Sequence, residues 1–128
     1  MKVAFDFDGT LSEPEVQELA KDLVKKGLEV WIITARIDNE FGRKNGWYWI
    51  EKQNKQLFDI ANDCGIKPEN IKFTAMCDKI EFIEGNEFIF HLDDDDYEID
   101  LINNNIDKCK GIWMLDNDWK QKCLNLIK

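Results

Sequence analysis

The sequence lacks the ingredients of several common functional sites. Its 128 residues include a single histidine and two prolines, and no apolar run approaches the roughly 20 residues of a membrane-spanning helix. The four cysteines form no C-x-x-C pair, and their spacing with the one histidine matches no familiar zinc site. We therefore expect reduced, partly buried thiols, no structural zinc and no membrane segment.

Basic residues are also scarce relative to acidic ones. Seventeen Lys and Arg stand against twenty-six Asp and Glu, which gives a formal net charge of −9. This balance disfavours broad electrostatic binding to nucleic acid or anionic lipid, and it would repel a phosphorylated substrate unless a cation intervened. The chain begins directly with a strand-like segment rather than a secretory signal, so we expect a cytoplasmic protein.

The hydrophobic pattern predicts one α/β domain over residues 1–128. Apolar runs alternate with helical periodicity, which indicates a three-layer, Rossmann-like parallel sheet of about five strands with helices on both faces. The expected strands are 3–7, 28–33, 71–73, 87–92 and 112–115. The expected helices run from an N-cap at Ser12 to Lys26, from 47 to about 63, briefly after Lys79, over 99–104, and over 119–127.

The first predicted strand ends on an unusual polar sequence, VAFDFDGTL over residues 3–11. Asp6 and Asp8 are two residues apart, so on an extended chain they would face the same way. Gly9 permits a tight turn whose backbone amides can approach an anion. An N-cap or turn aspartate would explain one acidic residue, whereas two carboxylates followed by Gly-Thr favour a site for a cation and a phosphate.

Three later strands also end on polar side chains. The second ends at Thr34 with Arg36 just beyond it, the third leads to Lys79, and the fourth runs into Asp93–Asp96. Each feature alone is usually a turn residue, a solvated lysine or a solvated charge run. Because the carboxyl ends of parallel strands meet at one edge of a sheet, we expect these residues to lie together.

The Asp6–Leu11 sequence (DFDGTL) resembles the first motif of the haloacid dehalogenase-like phosphohydrolases, and the later strand ends resemble that family's remaining motifs in order. The resemblance implies a phosphatase in which Asp6 is the nucleophile and Asp8 the general acid/base. It further implies that Thr34, Lys79, Gly9 and Arg36 contact the substrate phosphate.

The same resemblance implies a magnesium ion held by Asp6, Asp8, Asp93 and Asp94. Asp93 is the first choice within the run of four aspartates and Asp94 the second, but the register stays open across Asp93–Asp96. Glu98 could supply a more distant acid.

Family members differ chiefly in inserted cap domains. The two usual insertion points correspond here to residues 12–14 and 75–78, only a few residues each, which implies a capless member with an open site. Such a site can suit bulky substrates, and a homo-oligomer could cover it instead. The acidic surface leads us to expect a small or medium-sized phosphate ester.

Two other functions stay open. A catalytically silent domain of the same fold could bind a partner through the aromatic loop 37–49, in which we expect Trp49 and Ile50 in the core and Trp47 or Tyr48 at the surface. A receiver-like phospho-acceptor would also gather carboxylates at strand ends, although in a different distribution. The first alternative predicts that Asp6 and its neighbours matter only to folding.

Overall fold

Short apolar segments form a five-stranded sheet in the computed structural model, which describes residues 1–127. The strands are β1 (Lys2–Phe5), β2 (Glu29–Thr34), β3 (Ile71–Phe73), β4 (Phe90–Asp93) and β5 (Lys110–Trp113). All pairings are parallel, and the order is β3-β2-β1-β4-β5. The predicted α/β fold with a parallel sheet is therefore confirmed.

Helices cover both faces of the sheet. They are α1 (Pro14–Lys25), α2 (Asn39–Lys44), α3 (Trp49–Cys64), α4 (Ile80–Ile83), α5 (Asp96–Asn105) and α6 (Trp119–Leu126). Side chains of α1, α3 and α6 pack into the larger core, and those of α4 and α5 pack into a smaller core on the opposite face. Within residues 1–127, no helix combines the length and the apolar composition needed to cross a bilayer.

The central strand explains why two cores form. Val3 and Phe5 belong to the larger core and Ala4 to the smaller one, as the alternation of side chains along a strand requires. Phe5 also packs edge-on against Phe90 of β4, with ring centroids 5.7 Å apart. Full burial of a side chain such as Phe5 contributes about 1.5–3 kcal/mol, so β1 is fixed firmly at the centre of the sheet.

The order of the strands creates a switch point between β1 and β4. From β1 the chain moves to β2 and β3 on one side, and it then returns to place β4 and β5 on the other side. Ligands of open parallel sheets bind outside the carboxyl ends of the strands at such a point. The fold therefore directs attention to the residues that follow β1 and β4.

Several predicted boundaries were wrong for local reasons. β1 ends at Phe5 rather than residue 7, because the chain turns over Phe7–Leu11, where the Leu11 amide donates to the Asp6 carbonyl. Helix α1 begins at Pro14 with Glu13 as its N-cap, because the Ser12 hydroxyl instead accepts a hydrogen bond from the Gly9 amide.

Two further corrections concern β4 and the loop after β2. β4 starts at Phe90 rather than residue 87, since Glu87 has a φ of 62°, which extended chain does not allow. The predicted loop 37–46 contains the short helix α2, which begins after Asp38, whose carboxylate accepts a hydrogen bond from the Phe41 amide.

The aromatic segment before α3 was only partly predicted. Ile50 is buried and Trp47 and Tyr48 are exposed, as expected, but Trp49 is 59% exposed rather than in the core. The buried stripe of α3 starts at Ile50 and continues through Asn54 at helical spacing, which turns Trp49 away from the sheet.

Candidate active site

Three carboxylates meet at the switch point. Asp6 directly follows β1, its amide donates to the Leu92 carbonyl of β4, and Asp93 is the last residue of β4. One oxygen each from Asp6, Asp93 and Asp94 lie within 4.8 Å of one another. Two adjacent parallel strands therefore bring together residues that lie far apart along the chain.

A buried ammonium group joins two of these carboxylates. The Lys79 Nζ lies 2.7 Å from Asp6 Oδ1 and 2.7 Å from Asp93 Oδ2, and the residue is almost fully buried. Its backbone amide donates to Glu98 Oε2 at 3.1 Å, which fixes the start of α4 against α5. Glu98, expected as a distant acid of the site, thus positions Lys79 instead of joining the three carboxylates.

The electrostatics of the site depend on this crowding. Burial and the charge of Asp93 raise the pKa of Asp6 to about 8, and Lys79 offsets this only in part. Burial acts against ionisation of Asp93 too, but the hydrogen bond from His91 and the charge of Lys79 lower the pKa of that carboxyl. Asp6 therefore needs a further positive charge to stay ionised at neutral pH.

The donor set fits a hard divalent cation. Three carboxylates and one ammonium leave an excess of negative charge, and carboxylate oxygens are the ligands that Mg²⁺ prefers. Gly9, with a φ of 76°, makes this set sterically feasible, because a Cβ there would overlap the Asp94 carboxylate. Gly9 is therefore explained by both its backbone conformation and the close approach of Asp94.

The structure places Asp8 apart from the three carboxylates. The turn that begins at Phe7 ends the extended chain, so Asp8 and Asp6 do not share one direction. The Asp8 side chain is 62% exposed and accepts two hydrogen bonds from Arg36, Nη2 to Oδ1 at 2.7 Å and Nε to Oδ2 at 2.9 Å. Arg36 also lies over the Phe7 ring and donates to the Gln53 carbonyl, so this pair is well ordered.

The remaining predicted residues lie around the same edge. Thr34 is the buried last residue of β2, and its hydroxyl accepts a hydrogen bond from the Arg36 amide at 3.2 Å. The Gly9 amide is engaged by Ser12, so an anion would have to displace that contact to use it. The Thr34 hydroxyl therefore keeps its own proton available for donation, whereas the Gly9 amide is already engaged.

Sequence reasoning missed two polar partners of the carboxylates. Thr10 Oγ1 donates to Asp6 Oδ2 at 3.3 Å, and the fully buried His91 holds its Nε2 2.8 Å from Asp93 Oδ2. His91 could have been found, because residues two apart on a strand share a face and Asp93 follows it at that spacing. Burial lowers the pKa of His91, so it acts as a neutral hydrogen-bond donor to Asp93.

Comparison of the chain with protein-family models, with curated proteins and with solved structures found no match. The function therefore has to follow from the residues of the site.

The three-carboxylate group predicts a specific response to magnesium. At a concentration a hundredfold above its dissociation constant, bound Mg²⁺ should stabilise the fold by about 2.7 kcal/mol, or on the order of 10 °C in Tm. Asp93→Asn should reduce this shift most and Asp94→Asn less, whereas Asp95→Asn should leave it unchanged, because Asp95 is exposed and caps α5. Differential scanning fluorimetry with and without magnesium measures each shift.

The exposed Asp96 at the start of α5 provides the matched control, since Asp96→Asn removes the same charge from the same run. If Asp95→Asn abolished the shift and Asp93→Asn did not, the assignment of the metal ligands would be off by two residues.

Proposed function

We propose that this protein is a magnesium-dependent phosphatase of the haloacid dehalogenase-like type, which hydrolyses a phosphate monoester through an aspartyl-phosphate. The observation that carries the proposal is the convergence of Asp6, Asp93, Asp94 and Lys79 at the switch point of a parallel sheet. The order of these residues along the chain is the order of the motifs that the sequence resembles.

Asp6 has the surroundings that a nucleophile requires. Lys79 holds its Oδ1 and Thr10 its Oδ2, so the carboxylate is fixed in orientation. Mg²⁺, held by Asp6, Asp93 and Asp94, would supply the positive charge that keeps Asp6 ionised and offsets its repulsion from a phosphate dianion.

The reaction then proceeds in two displacements. An Asp6 oxygen bonds to phosphorus as the ester oxygen leaves, and Asp8 gives its proton to that leaving oxygen. Asp8 next takes a proton from the water that attacks phosphorus, which releases phosphate and regenerates the Asp6 carboxylate. Since Asp8 is paired with Arg36 in the structure, substrate binding has to loosen that pair before Asp8 can carry a proton.

The groups that stabilise the transferred phosphoryl are Lys79, Thr34 and Arg36. Lys79 brings a buried charge, the Thr34 hydroxyl is free to donate its proton while it accepts from Arg36, and Arg36 has a fork of donors suited to phosphate oxygens. Gly9 completes this set if its amide exchanges Ser12 for a phosphate oxygen. We expect a small or medium-sized substrate and retain the cytoplasmic location as part of the proposal.

A partner-binding module is the second candidate, and the exposed side chains of Phe41, Trp47, Tyr48 and Trp49 favour it. The buried network argues for the enzyme, however. Burying Lys79 together with two carboxylates costs desolvation free energy. A domain that binds a partner through a surface loop gains nothing for that binding from such a buried group.

Hydrolysis of 4-nitrophenyl phosphate tests the proposal. Turnover should require magnesium and fall by about a hundredfold or more in EDTA, because the cation contributes several kcal/mol to transition-state stabilisation. The release of 4-nitrophenol is followed by absorbance, with added magnesium in excess of EDTA as the recovery control. Undiminished activity in the chelator would contradict the proposed role of the carboxylates.

A further inference from the structure

We propose that the cavity beside Asp8 binds an aromatic ring in the leaving group of the substrate, between the side chains of Trp49 and Met76. This inference rests on the proposed phosphatase function and names the class of ester that the site would take. The cavity measures about 240 Å³ and is lined by Asp8, Arg36, Trp49, Gln53 and Met76 among others.

Its position follows from the chemistry of the proposed reaction. Asp8 is the group that protonates the leaving oxygen, so the leaving group must begin within hydrogen-bonding distance of Asp8. The Asp8 carboxylate forms part of the cavity wall together with its partner Arg36. A leaving group attached to that oxygen therefore enters this cavity.

Two further residues of the wall are apolar and exposed. Trp49 is 59% and Met76 is 79% exposed, although both are large hydrophobic side chains that a fold ordinarily covers. Trp49 offers the face of an indole for stacking, and a thioether packs favourably against an aromatic ring. Arg36 pairs with Asp8 in the structure and would pair with the phosphoryl group once Asp8 carries a proton, so in neither state does the cavity wall offer an uncompensated charge, and the cavity suits an uncharged ring.

The backbone that carries Met76 is held in a costly conformation. Ala75 and Met76 have φ values of 52° and 70°, a left-handed region that residues with a side chain rarely adopt in succession. Their amides donate to the Arg36 and Ala35 carbonyls at 3.1 and 2.9 Å, which ties this loop to the segment after β2. Glycine would avoid the strain, so the geometry favours a functional reason for a side chain at residue 76.

The size of the cavity limits its occupant. Pockets for drug-sized ligands enclose about 300–1,000 Å³, so this smaller space holds one ring system rather than a whole cofactor or an extended chain. The substrate is accordingly a phosphate monoester with one flat ring close to the ester oxygen.

The test compares two esters of primary alcohols, benzyl phosphate and cyclohexylmethyl phosphate. Their leaving groups are alkoxides of similar basicity and size, so the flat ring is the main difference. Wild-type protein should have a kcat/KM about tenfold higher for benzyl phosphate. Trp49→Ala should remove this preference and Trp49→Phe should retain part of it, and because Trp49 is exposed, neither change should alter Tm by more than a few degrees.

Two controls isolate the cavity. Tyr48→Ala removes the adjacent exposed aromatic side chain, which lines a different cavity with Asn39 and Glu51, and it should leave the preference unchanged. Acetyl phosphate has a small leaving group without a ring, so Trp49→Ala should lower its turnover much less than that of benzyl phosphate.

The outcomes separate this inference from the proposed function. Hydrolysis of acetyl phosphate with no preference for benzyl phosphate, or with an equal preference in Trp49→Ala, would overturn the ring site alone. If no ester were hydrolysed, calorimetric titration with benzylphosphonate would decide. If wild type bound benzylphosphonate more tightly than Trp49→Ala did, the ring site would be supported even though the phosphatase proposal had failed. Equal binding by the two proteins, or no binding, would overturn the ring site as well.

Discussion

Asp6→Asn is expected to lower the turnover of 4-nitrophenyl phosphate by at least about a thousandfold and to leave the fold intact. An amide cannot replace a carboxylate as the nucleophile, whereas its volume is nearly the same. Thr10 and Lys79 contact Asp6 through separate oxygens, and an Asn oxygen can keep one of these contacts. Turnover is measured with saturating magnesium, and the melting temperature reports on the fold.

Asp96→Asn is the matched control, since Asp96 is an exposed acidic residue at the same edge of the sheet. It should retain normal turnover. A phosphoenzyme that accumulates in Asp8→Asn but not in Asp6→Asn would identify the nucleophile directly, because loss of Asp8 leaves the hydrolytic water without a base. Near-normal turnover by Asp6→Asn would rule out a covalent mechanism through Asp6. Asp6 would then matter only to folding, as the partner-binding alternative predicts.

Lys79→Met is expected to destabilise the protein by about 3–5 kcal/mol in the absence of metal. The substitution keeps much of the volume of the side chain but leaves the buried carboxylates of Asp6 and Asp93 without their common cation. Urea unfolding in EDTA measures the loss. Magnesium should restore part of it, because the ion would neutralise the same two carboxylates.

Lys55→Met is the contrasting variant, because Lys55 pairs with Asp59 on the exposed face of α3. Its unfolding midpoint should match that of the wild type, as expected for a surface ion pair. Equal effects of the two substitutions would mean that Lys79 is not the cation on which the buried cluster depends.

The sequence was sufficient to predict the parallel sheet because short, mainly apolar segments alternate with segments of helical periodicity. β3 was predicted to the residue, since the apolar Ile71 and Phe73 alternate with Lys72 between polar neighbours. The predicted boundaries of helices and strands were wrong where a side chain makes a local contact that the sequence did not indicate. The Ser12 hydroxyl accepts a hydrogen bond from the Gly9 amide, and the Asp38 carboxylate caps α2 within the predicted loop.

The candidate site was predictable to the extent that it depends on strand ends. The carboxyl ends of adjacent parallel strands bring Asp6 and Asp93 to one edge, and the loop after β3 carries Lys79 there. The sequence predicted this shared edge but not the order of the strands. The pairing of Asp8 with Arg36 was not predictable, since it depends on the turn that follows Asp6. The exposure of Trp49 was also missed, because hydrophobicity predicts burial, whereas the buried stripe of α3 starts only at Ile50.

The central place of β1 has a further consequence for how the polypeptide acquires its structure. Ala4 pairs with Trp31 on one side and with His91 on the other, so the second pairing closes a loop that spans most of the chain. Contacts of such long sequence separation form slowly, since the entropy of loop closure is lost before they stabilise anything. During synthesis β1 leaves the ribosome well before β4, so one of its edges stays unpaired until β4 emerges, and an unpaired edge of this kind can pair with another nascent chain and aggregate.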